Sequence, residues 1–261
     1  MNPIPATRSN KVPEVVLAFW IIKIIATTLG ETGGDAVSMS MGLGYAIGSV
    51  IFIALFVVTV VAQVRANSFH PLLYWSVIVA TTTAGTTMAD FADRSLGIGY
   101  PGGACILFAL LIVSLAGWYW SVGSVSVDKI TSPKVEIFYW VTILFSNTLG
   151  TALGDFLADD SGLGYIGGAA VFAGALLLVA AAYFYTTLSH TSLFWLAFIL
   201  TRPLGATVGD LLTKPHANGG LNLSRVSSSL ILAMFMIACI LFTPQRAGSH
   251  PGSVERAYET P

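Results

Sequence analysis

Eight apolar runs, at roughly 14–34, 43–64, 71–90, 99–121, 134–154, 163–186, 191–211 and 226–243, account for most of the chain. A helix needs about 17–25 mainly apolar residues to cross the hydrocarbon of a bilayer, and each run approaches or meets that length. The alternating strands of about 10 residues that build a membrane β-barrel are absent. Composition agrees, since 55% of the 261 residues are hydrophobic and 10% are charged, against roughly 25% charged in soluble domains. The expected fold is all-α, a polytopic membrane protein with about eight transmembrane helices in contact with the lipid bilayer.

The runs repeat. A shift of 120 residues aligns Pro13 with Pro133, Trp20 with Trp140, Gly30 with Gly150, Asp35 with Asp155 and Tyr45 with Tyr165. The same shift pairs His70 with His190, Trp75 with Trp195, Gly85 with Gly205, Asp90 with Asp210 and Arg94 with Lys214. Each half divides again, because in all four quarters a glycine precedes an aspartate by five residues: Gly30 and Asp35, Gly85 and Asp90, Gly150 and Asp155, Gly205 and Asp210. Three quarters continue with G-[LI]-G-Y at Gly42–Tyr45, Gly97–Tyr100 and Gly162–Tyr165; the fourth has degenerated to NGGLN, from Asn218 to Asn222. The unit is a two-helix hairpin with an acidic hinge. Four such units with two spans each enter from the same side, so the repeats are parallel and related by a pseudo-fourfold axis. The expected organisation is an N-terminal segment 1–12, a first four-helix unit 13–132, a second 133–243 and a flexible tail 244–261.

The loops that carry the termini hold Arg8, Lys11, Arg65, Lys129, Lys134, Arg246 and Arg256, whereas the hinge side has chiefly Arg94, Lys214 and Arg225. The positive-inside rule then predicts cytoplasmic N- and C-termini in a bacterial inner membrane, with the hinges outside. The N-terminus has no short apolar core followed by a cleavage site, so the first run is expected to be retained. Cys105 and Cys239 both fall in apolar runs and predict packing rather than a disulfide. A net charge of −1 gives no sign of a nucleic-acid partner.

Carboxylates in apolar spans usually face the bundle interior and mark ion or proton paths. Asp35, Asp90, Asp155 and Asp210, with Glu31 beside the first, are therefore candidate ligands for a metal cation; the competing reading is that each aspartate bonds hinge amides as a cap. Asp93, Asp159 and Asp160 lie on the same side and suggest an outer acidic funnel that attracts cations. Lys23 and Arg202 break the repeat symmetry, standing where the 120-residue partners are Ile143 and Thr82, and form a candidate charge relay, with Arg202 offsetting one of the four aspartates. Glycine and threonine before each aspartate make small-residue faces for close helix packing. The tyrosines of G-[LI]-G-Y suit an interfacial aromatic belt. HExxH, nucleophile-elbow, CxxC and phosphate-loop motifs are absent, so no enzymatic activity and no cofactor are expected.

With GETGGD and GTALGDFLADDSGLGYIGG in view, the chain resembles an uncharacterised family of bacterial integral membrane proteins built from repeats of G-x-x-x-[GA]-D and G-x-G-Y, over roughly residues 13–243. A second likeness is to the cation/proton exchangers whose signature is E-x-G-D followed by a basic residue and Ser or Thr. Here Glu31–Thr32–Gly33–Gly34–Asp35 carries one inserted residue, and Ala36 and Val37 follow it. That similarity implies Ca²⁺ or Mn²⁺ exchange. The leading expectation is a divalent-cation transporter, best matched to Mn²⁺, exporting it in exchange for protons, with a small ion as substrate and homo-oligomerisation left open. The alternatives are an organic-anion or amino-acid carrier using Lys23 and Arg202, and a non-transporting membrane sensor or assembly protein.

Overall fold

In a computed structural model, which describes residues 10–125, 130 and 132–248, the described residues form eight long α-helices and no strand. They are α1 (Leu17–Asp35), α2 (Gly44–Arg65), α3 (Pro71–Asp90), α4 (Tyr100–Val122), α5 (Pro133–Asp155), α6 (Gly164–Tyr185), α7 (His190–Thr213) and α8 (Arg225–Phe242). Starts follow local chemistry. Pro71 and Pro133 open α3 and α5, where the missing N–H costs nothing and φ is preset. Ser132, Ser189 and Ser224 cap α5, α7 and α8 by accepting from Val135 N, Ser192 N and Ser227 N, which satisfies donors the helix itself leaves free.

Helices α1, α3, α5 and α7 each pack on two of the others and close into a ring: α1 on α3, α3 on α5, α5 on α7, and α7 back on α1. The even-numbered helices form an outer layer. Each leans on the next repeat's ring helix, so that α2 packs chiefly on α3, α4 on α5, α6 on α7, and α8 on α1. The repeat is a pair of helices as expected, but not a hairpin packed on itself: a repeat's ring helix is covered by the outer helix of the repeat before it.

This layering decides which helices read as membrane spans. Six of the eight, all but α1 and α3, are long and apolar enough to cross a membrane, the signature of a membrane protein. In the outer four, only 17–22% of the most apolar stretch is buried within the chain, against 67% in α5 and α7, so the outer layer is the apolar coat. Helix α1 carries Lys23, Glu31 and Asp35, and α3 carries five threonines between Thr81 and Thr87. Both helices belong to the inner ring, where side chains meet protein rather than lipid and polarity is tolerated if it is paired.

At the terminus end the core is aromatic: Trp75, Trp118 and Trp140 with Phe19, Tyr74 and Tyr139 are buried together, and the two tyrosine hydroxyls are 3.0 Å apart. Lys11 is buried over this end, pairing with Glu136 at 3.0 Å and donating to the last carbonyls of α2, Gln63 O and Val64 O, at 3.1 Å. Pro13 and Ala247 form an isolated antiparallel bridge, which brings the two ends of the described chain together. Of the basic residues that set the expected orientation, Arg8, Lys129 and Arg256 lie outside the described residues.

At the opposite end, α1, α3 and α5 each run past their aspartate into a five-residue π-helical turn: Ala36–Ser40, Phe91–Ser95 and Phe156–Asp160. The G-x-G that follows reverses the chain. Both glycines of each copy have positive φ, from 67° to 78°, and a Cβ on any of the six would meet nothing within 4 Å. The motif is therefore written for backbone conformation alone. Gly99→Ala should cost about 1–3 kcal/mol, because φ 75° with ψ 155° lies in a region open essentially only to glycine, read as a loss of thermal stability in detergent with the fold retained. The fourth hinge uses a single 3-10 turn, His216–Asn218, with Gly219 at φ 83° and Asn222 at φ 55°.

Candidate functional site

The motif glycines set the ring. Each takes the close approach of the residue three before the glycine on the next ring helix: Gly30 meets Thr82, Gly85 meets Asn147, Gly150 meets Arg202, and Gly205 meets Thr27. This register delivers the residue after each glycine to the axis. Glu31, Thr86 and Thr151 arrive from α1, α3 and α5, and the Nη2 of Arg202 on α7, with its two N–H groups, lies within hydrogen-bond distance of all three: Glu31 Oε2 at 2.9 Å, Thr86 Oγ1 at 2.6 Å and Thr151 Oγ1 at 2.5 Å. One guanidinium thus touches all four ring helices, fully buried. At this level the axis is filled.

One turn further toward the hinges, the four motif aspartates are all buried. They do not form a free tetracarboxylate, because two basic residues join them in pairs across helix boundaries. Arg94 Nε lies 2.9 Å from Asp90 of its own repeat, and its Nη2 lies 3.5 Å from Asp155 of the next. Lys214 Nζ lies 3.1 Å from Asp210 and 3.2 Å from Asp35. Arg225, at the start of α8, adds a contact to Asp35 at 3.4 Å. Burial works against the ammonium of Lys214, but Asp210 and Asp35 outweigh it and hold its pKa above the ordinary lysine range.

Around Lys214 a third carboxylate joins the pair. One oxygen each from Glu31, Asp35 and Asp210 lie within 4.8 Å of one another, the one group among the described residues with the composition and spacing to hold a metal ion. Oxygen donors at this density suit Mg²⁺, Ca²⁺ or Mn²⁺. Asp35 Oδ1 is buried with no hydrogen-bond partner among the described residues, so one ligand oxygen is uncommitted.

The family model described as a Repeat of Unknown Function (DUF347) matches four segments, 18–69, 73–124, 138–189 and 193–244, and each segment spans one ring helix, its hinge and the outer helix that follows. The chain belongs to this repeat family. Neither the curated proteins nor the solved structures yield a match. The DUF347 unit is thus the structural repeat of the ring, and the charged centre is built where four such units meet.

Within this DUF347 ring the remaining candidates fall in different places. Arg202 pairs with Glu31 rather than with a motif aspartate. Lys23 is fully buried; its Nζ lies 4.1 Å from the centre of the Phe198 ring and has no hydrogen-bond partner among the described residues. Lys23 and Arg202 are therefore not joined by a hydrogen bond among the described residues. Asp159 and Asp160 are exposed on the hinge side, but Asp93 is buried against Gly103 and does not line an open mouth. Tyr45 and Tyr100 are not simply belt residues: Arg94 donates to Tyr45 Oη at 3.5 Å, and Tyr100 donates to Asp159 at 3.2 Å. Lys214 and Arg94 were visible in the sequence as partners under the 120-residue shift and as basic residues of the hinge side. Their bridging role was not, because it depends on a neighbour 179 residues away in one case and 61 in the other.

Proposed function

We propose that the protein is a membrane transporter of a divalent cation, with Glu31, Asp35 and Asp210 as its protein ligands. The observation that carries this reading is the convergence of those three buried carboxylates within 4.8 Å. Carboxylates sunk among apolar helices are costly, and their usual justification is an ion path. In this reading all eight helices cross the bilayer of a bacterial inner membrane, the termini are cytoplasmic, and the cluster opens toward the outside. Among the described residues, Lys11, Arg65, Lys134 and Arg246 stand on the terminus side, in keeping with that orientation. An axis filled by Arg202 favours a carrier that rearranges over an open pore. Mn²⁺ export in exchange for protons is the form of the reading that the E-x-G-D likeness implies, since a metal requires deprotonated ligands and proton flow can be coupled to its release.

The test is calorimetric titration of the purified full-length protein with Mn²⁺, Ca²⁺, Mg²⁺ and Zn²⁺, alongside Asp35→Asn/Asp210→Asn. Saturable Mn²⁺ binding by the intact protein, lost in a double variant that remains monodisperse, is the expected result and leads on to flux measurements in liposomes. Absence of binding at millimolar metal sinks the cation reading. One observation favours the scaffold alternative, namely that every motif aspartate already has a basic partner. On that reading the aspartate variants lose thermal stability and metal makes no difference to any of them.

A further inference from the structure

The two halves of the ring solve the same electrostatic problem with different cations. Arg94 and Lys214 are equivalent under the 120-residue shift, and each neutralises the aspartate of its own repeat and that of the next. Their surroundings differ. Arg94 has a third acid, Asp159, at 3.8 Å and lies over the Tyr100 ring with 5.8 Å between the guanidinium carbon and the ring centre. Planar charge, several fixed donors and an aromatic face are what a guanidinium uses well, and its charge is permanent.

Lys214 presents the opposite case. Its ammonium is a compact point charge on a flexible stem, and it sits between Asp35 Oδ2 and Asp210 Oδ1, two of the three residues whose oxygens converge. The third, Glu31, stands where the other half has Thr151. The ammonium and a metal ion would thus compete for the same carboxylates. Meanwhile Asp35 Oδ1 faces no donor among the described residues, although Asp35 is 1% exposed. The lysine leaves part of the acidic group unused.

We propose that Lys214 is a tethered counter-ion that occupies the cation position between Asp35 and Asp210, and that a divalent cation binds by displacing it. The inference rests on the reading of Glu31, Asp35 and Asp210 as a cation site, and it adds that the site is self-inhibited in one half of the ring only. Lys214 follows directly on α7 at the start of the irregular fourth hinge, so it can swing out without unwinding a ring helix. Arg94 sits within a π-helical turn and holds the other pair of aspartates permanently. A single exchangeable site in a fourfold scaffold is the consequence.

The experiment is Mn²⁺ titration of the purified full-length protein and of Lys214→Gln, Lys214→Arg and Arg94→Lys. Removing the tethered charge should tighten Mn²⁺ binding by about tenfold or more, given the strength of charge repulsion at these distances. Lys214→Arg should weaken binding below detection, and Arg94→Lys should leave affinity at the Glu31 site within about threefold. Unchanged or weaker binding by Lys214→Gln, with the intact protein still binding Mn²⁺, overturns the counter-ion proposal and leaves the metal-site reading standing. No binding by any form overturns both. Should Lys214→Gln fail to fold, acylation of Lys214 in the natural protein, mapped by mass spectrometry, supplies the answer: Mn²⁺ should accelerate it, and an unchanged or slower rate refutes displacement.

Discussion

Arg202→Met should give the largest loss of stability of any single charge deletion in this protein, about 3–5 kcal/mol, the cost of leaving a buried carboxylate without its partner. Arg202 and Glu31 are 0% and 3% exposed as side chains and 2.9 Å apart, and among the described residues no other basic group pairs with Glu31. The substituted methionine would fill much of the same volume, so the loss reports charge rather than a cavity. Thr86 and Thr151 lose a donor at the same time, which adds unsatisfied acceptors at the axis. Restoring balance should restore stability: Arg202→Met/Glu31→Gln should recover more than half of what Arg202→Met loses. Thermal denaturation of the purified proteins in detergent is the check. A single variant as stable as the parent would mean that the axial pair contributes nothing to the closed ring.

The second large effect is steric. Gly85→Leu should abolish assembly of the ring, because a Cβ there stands 3.0 Å from Thr148 N, 3.1 Å from Asn147 C and 3.3 Å from Thr148 Cα. Those are backbone atoms of α5, and they cannot turn aside as a side chain can. Overpacking of a rigid contact costs about 1–3 kcal/mol even when neighbours adjust, and here the adjustment is separation of α3 from α5. Separation breaks the 2.9 Å bond from Asn147 to Thr81 and pulls Asp155 away from Arg94. The expected readout is loss of the monodisperse peak on size exclusion and of recoverable protein. Gly33→Ala is the control, since its Cβ would meet only Ser229 Oγ at 4.0 Å. There the helix should gain up to about 1 kcal/mol from the reduced backbone entropy. A well-behaved Gly85→Leu protein would refute the close-packed ring.

Periodicity made the helices, the four quarters and the hinge glycines legible, because each of those is a local demand on the chain. Two positive-φ residues separated by one residue can be met cheaply only by glycine, and a buried or lipid-facing helix announces itself by length and apolarity. Partnership was not legible in the same way. The shift that pairs Arg94 with Lys214 identifies them as equivalent, but not that each one reaches into the next repeat. Glu31 and Arg202 are 171 residues apart, and the sequence pointed instead to one of the four motif aspartates as the partner of Arg202. A signal existed in the registration of each glycine with the residue three before the next one, which places Arg202 against Gly150 and its head group on the axis. The π-helical turns after Asp35, Asp90 and Asp155 left no mark on the sequence that distinguishes them from an ordinary extra turn of α-helix. Polarity in α1 and α3 was legible as an anomaly, and burial within the ring explains it.

The dependence of each ring helix on the outer helix of the preceding repeat has a consequence for biosynthesis. Ribosomes deliver α1 first and α8 last, yet α8 is the helix that covers α1, and Arg202 is the residue that neutralises Glu31. Of the eight helices, the first made therefore waits for the seventh to match its acid and for the eighth to cover it. Until α8 is made, α1 lacks its outer cover, and a chain released before α7 is an open crescent of three ring helices in which Glu31 has no Arg202 to meet.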